Sequence, residues 1–383
     1  MNVEQVLQEL DELREKGLYR EPRTLEGHRG TRAVWRGKEI LLFCGNDYLG
    51  LSRHPQVIHA AQEALQEYGI GAGAARLISG TTELHTRLEE KLARFKRKER
   101  ALLFGTGYLA NLGVLGALAG EKDLLVMDKL CHASLIDGTR LSLAALRIFP
   151  HKNYRQCEAL LEKSRGYGRK ILVSDAVFSM DGDSADLEEL IRLKEKYGCL
   201  LVIDDAHGIG VLGLEGRGAT EGFEEKIDVL TATLSKALGV FGGFAAASAV
   251  WVEHLINFSR SFIFATAPPP ALQAASLEAL RLIQEEPRLR EKLWENIERV
   301  RVFLAQKGFR LETRSPILPI LLGEEREALR ISEELLQKGI LIPAIRYPTV
   351  SKGKARLRLT VSAAHTEEDL ERLFEALGEI LSP

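Results

Sequence analysis

From residue 82 onward the chain alternates short apolar runs with longer helical stretches, and no other feature restricts the fold as much. The runs are ALLF at 101–104, LLVMD at 124–128, LRIF at 146–149, ILVSD at 171–175, LLVID at 200–204 and VLTATL at 229–234. Each has four to six residues and is apolar almost throughout, as a strand buried on both faces of a mostly parallel sheet must be. Helical stretches separate them and supply the crossovers; just ahead, Leu84, Leu88, Leu92 and Phe95 form one helical face. The expected fold class is α/β, a doubly wound domain with a mostly parallel sheet.

The flanks read differently. Val3, Val6, Leu7, Leu10 and Leu13 fall at helical spacing, so an amphipathic helix over 3–16 opens the chain. The run Glu39–Cys44 and a helix over about 55–68 follow. Past Pro268-Pro269-Pro270 comes a long helical segment over about 271–307, then ILPILL and a helix at 324–338. LIPAI, RLRLTVS and a last helix complete the chain; that helix opens at Thr366 with Asp369 in capping-box position. The expected division is an N-terminal arm (1–45), a large α/β domain (46–267) and a smaller C-terminal α+β domain (268–383).

Composition narrows the function. The 383 residues carry 52 basic and 54 acidic side chains, a formal net charge of −2, which gives no field for nucleic acid. Cys44, Cys131, Cys157 and Cys199 lie far apart with no Cys-x-x-Cys pair, so neither a metal site nor a disulfide framework is expected. The charged opening MNVEQVLQELDELREKG lacks a secretory apolar segment, and the longest apolar stretches are broken by Gly. The expectation is a cytoplasmic protein with no membrane contact.

Several motifs sit where parallel sheets bind ligands, outside the carboxyl ends of strands. Two strands end in acids: Ile171–Asp175 runs into AVFSMDGD, and Leu200–Asp204 into Asp205-Ala206-His207. Such acids also cap turns, but two in one sheet shift the weight towards chemistry. Gly208–Gly213 matches Gly-x-Gly-x-x-Gly, yet Leu214-Glu215-Gly216-Arg217-Gly218 is a poor helix start, so nicotinamide binding is rejected. Lys236, in TLSKALG after a buried run, would be partly desolvated there and so suited to Schiff-base chemistry; alone, it also reads as an ordinary surface lysine. Phe104-Gly105-Thr106-Gly107-Tyr108 passes from strand to helix through two Gly, a turn that also serves as a phosphate cradle. His132 follows the strand ending at Asp128; alone, it reads equally as a helix cap.

A lysine for an aldehyde, an acid for a pyridine nitrogen, a phosphate cradle and an aromatic face together describe pyridoxal 5′-phosphate (PLP) chemistry. Here the chain resembles the α-oxoamine synthase family of fold-type I PLP-dependent transferases. The likeness rests on NDYLGLSRHP, GIGAGAARLISGT, FGTGYLAN, DKLCHASLIDG, VFSMDGD, VIDDAHGIGVLG, TLSKALG and PTVSKGKARLRLTVSAAH, in that order. It implies PLP as cofactor, with Lys236, His132, Asp204 and His207 as the catalytic set. Lys236 holds the aldehyde, Asp204 pairs with the pyridine nitrogen, His207 bonds the ring hydroxyl and His132 stacks on the ring. Gly107 and Tyr108 lie near the phosphate, Thr233 adds a hydroxyl and Ser179 also contacts the cofactor. Arg20, Asn46, Thr349 and His132 match substrate-binding positions.

The resemblance further implies an acyltransferase whose substrates are an amino acid and an acyl thioester of coenzyme A or acyl carrier protein. Asp-Asp-Ala-His, in place of the Asp-Asp-Ser-His typical of glycine-using members, and AIRYPTV ahead of RLRLTVSAAH favour the members that condense L-alanine with a pimeloyl thioester in biotin biosynthesis. Sister synthases using glycine or serine are the alternative. A catalytically silent partner subunit would lack the lysine, which is present. A homodimer with shared active sites is also expected, the Gly-rich loop 69–81 and the Asn46 region lying at the junction.

Overall fold

The computed structural model describes residues 2–16 and 18–381. Helix α1 (Val3–Glu15) opens the chain, followed by β1 (Glu26–Arg29), β2 (Arg32–Trp35), β3 (Lys38–Leu42), α2 (Pro55–Tyr68) and α3 (Glu83–Phe95). The repeating region holds β4 (Arg100–Phe104), α4 (Gly107–Leu118), β5 (Leu124–Asp128), α5 (Ala133–Ser142), β6 (Ala145–Phe149) and α6 (Tyr154–Glu162). It continues through β7 (Lys170–Asp175), α7 (Leu187–Tyr197), β8 (Leu200–Asp204), β9 (Val229–Thr233) and β10 (Gly243–Ala247). Helices α8 (Ala249–Phe258), α9 (Arg260–Ile263), α10 (Pro270–Glu285) and α11 (Arg288–Gln306) follow. The chain closes with β11 (Ile317–Gly323), α12 (Glu325–Gln337), β12 (Ile340–Leu341), β13 (Ala344–Ile345), β14 (Ala355–Thr360) and α13 (Glu367–Ile380).

All six anticipated runs are strands of one seven-stranded sheet, in the order β4-β10-β9-β8-β7-β5-β6. The pairs β5–β6, β5–β7, β7–β8 and β8–β9 are parallel. Their apolar side chains feed two cores, one on each face; Leu172, Leu201 and Leu230 belong to one, Ile171, Val173 and Val202 to the other. That two-sided burial is why the runs lack polar alternation. β10 was not anticipated: its sequence GFAAA is short and small, yet it pairs antiparallel with both β4 and β9. Because the other strands share one direction, Phe104, Asp128, Asp175, Asp204 and Thr233 gather at a single sheet edge with Gly243.

The flanks depart from the sequence reading in two places. The segment 271–307 is two helices, broken at Glu286-Pro287 because proline disfavours helix in the residue before it. LIPAI splits at Pro343 into β12 and β13, which join different sheets. β12 pairs with β3, so one four-stranded sheet, β1-β2-β3-β12, is built from both ends of the chain. The second small sheet, β11-β14-β13, carries Arg356 and Arg358 on its central strand. The capping box at Thr366 and Asp369 forms as anticipated. No helix among the described residues is long and apolar enough to cross a membrane.

Candidate active site

Lys236 lies in the turn between β9 and β10. Leu234 N–H donates to Gly242 O at 3.0 Å and Gly239 N–H to Lys236 O at 2.8 Å, which closes the turn tightly. Gly239 adopts φ +70°, and a Cβ there would stand 2.2 Å from Ser52 N, so no side chain fits. The Lys236 side chain is partly buried, and its Nζ lies 2.7 Å from His207 Nε2. Burial lowers the amine to about 8, against the pull of the Asp204 and Asp175 carboxylates. No carboxylate among the described residues forms an ion pair with it.

A second buried lysine shows what a structural one looks like, and it has no counterpart in the sequence reading. Lys96 is fully buried, 2.8 Å from Asp205 Oδ2, and also donates to Thr220 Oγ1 at 2.9 Å and to the Arg217 carbonyl. Its donors are all engaged, whereas the Lys236 amine has one neighbour, a neutral ring. Asp205 in turn accepts from Ala219 N–H, so this ion pair anchors the turn that carries His207.

Asp204 ends β8 with its carboxylate facing the cleft floor. Its Oδ1 accepts from Ala206 N–H at 2.8 Å and its Oδ2 from Asn111 Nδ2 at 2.6 Å. Asn111 is oriented by these contacts: its Oδ1 accepts from Thr231 Oγ1 at 2.6 Å, and its amide nitrogen also donates to Ser134 Oγ at 2.8 Å. Ser134 Oγ lies 2.7 Å from His132 Nδ1, which also accepts from Ser134 N–H. His132 thus caps α5, the bland role, while its ring stays exposed to the cleft. Burial lowers its pKa, so the ring is neutral with its free proton on Nε2. Asp175, fixed by the His132 amide at 2.8 Å, is pushed well above the carboxylate range by burial and by the Asp204 charge.

The strand-to-helix turn expected to serve as a phosphate cradle is also formed. Thr106 caps α4, accepting from Leu109 N–H at 3.1 Å, while the Gly107 and Tyr108 amides have no acceptor among the described residues. A Cβ on Gly243 would stand 2.3 Å from Gly107 N, and one on Gly107 would press Thr233 Cβ at 3.1 Å. Open amides at a helix N-terminus, next to the Thr233 and Ser235 hydroxyls, suit a phosphate. The Tyr108 hydroxyl donates to Asp137, and its ring meets His132 edge-on at 6.3 Å.

The opposite wall comes from β14 and the segment after β3. Arg358 is 7% exposed and has no carboxylate partner among the described residues. Its Nε donates to the Ser179 carbonyl at 2.7 Å and its Nη2 to Asn46 Oδ1 at 3.3 Å. Asn46 Oδ1 also receives Tyr48 Oη at 3.1 Å, and Tyr48 Oη lies 2.7 Å from His207 Nδ1. Burial keeps His207 neutral, its pKa held well below the usual histidine value, and raises Tyr48 to about 12.

Of the residues named from sequence, Lys236, His207, Asn46 and Ser179 belong to one hydrogen-bonded array and Asp204 and His132 to a second, with Gly107, Tyr108 and Thr233 gathered at the N-terminus of α4. Ser179 contributes its backbone carbonyl to Arg358. Arg20 and Thr349 are exposed and make no side-chain hydrogen bond or ion pair with this cluster. Gly208–Gly213 forms turns and opens no helix. The sequence reading missed Arg358, Tyr48 and Asn111, all lying inside motifs it had quoted.

A cleft with a lysine lacking an ion pair, a buried acid held by two donors, an exposed imidazole and open helix amides fits PLP. On this fold it defines a PLP-dependent transferase of the aminotransferase type. The model for the family described as aminotransferase class I and II matches residues 38–377. The 8-amino-7-oxononanoate synthase of Geobacter sulfurreducens is 49% identical over 377 residues, 97% of this chain and 96% of that one. 8-Amino-7-oxononanoate synthase 1 of Bacillus subtilis is 41% identical over 96% of this chain and 95% of its own. A serine palmitoyltransferase from S. paucimobilis, solved with PLP and myriocin bound, superposes with a TM-score of 0.92 at 30% identity, covering 98% of this chain and 96% of that one. The chain belongs to the 8-amino-7-oxononanoate synthase family, within aminotransferase class I and II. Its cofactor is PLP.

Proposed function

We propose that the protein condenses L-alanine with a pimeloyl thioester, releasing CO₂ and the free thiol and forming 8-amino-7-oxononanoate. The substrate pair follows the name shared by relatives that match almost the full chain. The observation that carries the reading is the combination of two unpaired cations, Lys236 and Arg358, facing one cleft through a single hydrogen-bonded chain. A buried guanidinium without a carboxylate is costly unless a ligand brings one. The α-carboxylate of an amino acid satisfies it, which places the α-carbon towards Lys236.

PLP, when bound, supplies an electron sink that stabilises negative charge on that α-carbon. The residues of the chain divide the remaining work. Lys236 holds the aldehyde at rest and, once free, takes the α-proton on Nζ; a pKa of about 8 leaves enough neutral amine near neutrality. Asp204, which accepts from Asn111 and the Ala206 amide, faces the position of the pyridine nitrogen. The Gly107 and Tyr108 amides with Thr233 take the phosphate, and the His132 ring covers the exposed face. Arg358 holds the carboxylate until CO₂ leaves.

The active unit in this reading is a homodimer with shared sites. Loop 69–81 is pinned by a bidentate Arg76–Glu89 pair at 2.9 and 3.0 Å, yet Ile70 and Ile78 are more than 80% exposed. Phe264 extends the patch through the Ala75–Thr266 bridge, and α1 buries no residue at all. Apolar exposure on an ordered loop marks a covered surface. Four free cysteines, three of them buried, support a reducing, cytoplasmic location.

The test is a panel of alanine, glycine and serine against acetyl, succinyl, pimeloyl and palmitoyl thioesters, on coenzyme A and on acyl carrier protein. Alanine with the pimeloyl thioester should give the highest kcat/KM. Preference for glycine with acetyl, or serine with palmitoyl, would replace this reading by a sister synthase.

A further inference from the structure

Tyr48 is fully buried, and its hydroxyl sits between the amide of Asn46 and the ring of His207. The polarity of that arrangement can be worked out from donor counts alone. Arg358 Nη2 can only donate, so the Asn46 atom facing it at 3.3 Å must be the carbonyl oxygen. That oxygen can only accept, so the Tyr48 contact at 3.1 Å uses the one hydroxyl proton. The Tyr48 oxygen then has only lone pairs left for His207 Nδ1 at 2.7 Å, and Nδ1 must carry the imidazole proton. Nε2 is left bare and faces Lys236 Nζ at 2.7 Å as an acceptor. Reversing the array would set two oxygen lone pairs against each other at 3.1 Å in a buried place.

We infer that Tyr48 is a positioning residue that fixes the His207 tautomer and thereby keeps the lone pair of Lys236 free. With Nε2 bare, the amine donates an N–H to His207 and directs its electrons elsewhere. With a proton on Nε2, the ring would instead donate to the amine and occupy the electrons that Lys236 needs as nucleophile and base. Arg358 sits at the far end of the same chain, so the group that grips the substrate carboxylate also sets which way the protons point. The inference rests on Lys236 and His207 as working groups of the proposed reaction, but not on which amino acid or thioester is used.

The test reads the tautomer directly. Full-length protein with isotope-labelled histidine, stripped of cofactor, is examined by NMR as wild type, Tyr48→Phe and Asn46→Leu at a pH well above the Lys236 value of about 8, where the amine is neutral and can meet either ring tautomer. The wild type should show His207 with its proton on Nδ1, and both variants should move most of the population to Nε2. Asn46→Leu leaves Tyr48 and His207 intact and only frees the hydroxyl to turn, so it decides the matter even if Tyr48→Phe fails to fold. In the loaded enzyme Tyr48→Phe should lower kcat by about tenfold or more, the scale of one lost hydrogen bond, with the thioester KM unchanged. A wild-type proton on Nε2, or a tautomer unmoved by the variants, overturns the inference. A merely structural Tyr48 would lower the melting temperature and leave the tautomer as it was. A wrong substrate assignment would alter the thioester panel and leave this spectrum unchanged.

Discussion

Replacing Arg358 by Met removes the cation assigned to the substrate carboxylate, and the structure fixes the expected size of the effect. A guanidinium has five N–H donors; Nε is committed to the Ser179 carbonyl and one Nη2 proton to Asn46, so three remain for a ligand. A bidentate grip needs two of them. Charge-assisted hydrogen bonds contribute about 1.5–3 kcal/mol each, and dehydrating both partners reduces the pair to about 3–4 kcal/mol. At ~1.4 kcal/mol per decade, kcat/KM for L-alanine should fall by about two to three orders of magnitude. Arg358→Lys should recover only part of this, because an ammonium keeps the charge but not the fork. The assay compares kcat/KM for alanine with the thioester KM, while visible absorbance of the bound cofactor reports loading. An Arg358→Met enzyme with normal loading and an alanine kcat/KM within about threefold of wild type would refute the carboxylate role.

Further outcomes follow from the same geometry. Because burial lowers Lys236 from 10.5 to about 8, the neutral amine accumulates as pH rises to that value; capture of PLP by cofactor-free protein should speed up with pH and level off above about 8. A rate still climbing towards the ordinary lysine range would contradict the desolvated setting. Lys96→Met should cost about 3–5 kcal/mol in urea unfolding, since it strands the buried Asp205 carboxylate, and should weaken cofactor binding by loosening the His207 turn; unchanged stability would count against the anchor. Inactive Lys236→Ala mixed with a variant broken in the exposed loop 69–81 and reannealed should regain activity through hybrid dimers, whereas a sedimentation profile showing an active monomer would rule out shared sites.

Much of the large domain was legible because burial on both sheet faces leaves an unbroken apolar imprint, as in LLVID and ILVSD. β10 left no such imprint. Phe244, Ala245, Ala246 and Ala247 are all buried, but they are mostly small because helices and strands crowd close on both sides. The site followed the same division. Lys236, Asp204 and His207 stand at strand ends, where sequence position alone predicts a ligand. Arg358 stands within a strand, and the alternation Arg356-Leu357-Arg358-Leu359 reads as one polar, solvent-facing side. Both arginines are instead buried, one paired with Asp181 and the other without a carboxylate partner among the described residues, a distinction only tertiary packing makes. Tyr48 and Asn111 were hidden for a related reason. Their importance lies in which atom faces which, and composition carries no trace of that. The break at Pro287, by contrast, was readable from the proline itself.

The most direct test of the account follows the carboxyl carbon of alanine. Carboxyl-labelled L-alanine is mixed with the pimeloyl thioester and enzyme, and labelled CO₂, free thiol and amino ketone are quantified over time. The three should appear in equal amounts, only when both substrates are present, and Lys236→Ala should yield none. Thiol released without labelled CO₂, or undiminished turnover by Lys236→Ala, would contradict decarboxylative condensation at this site.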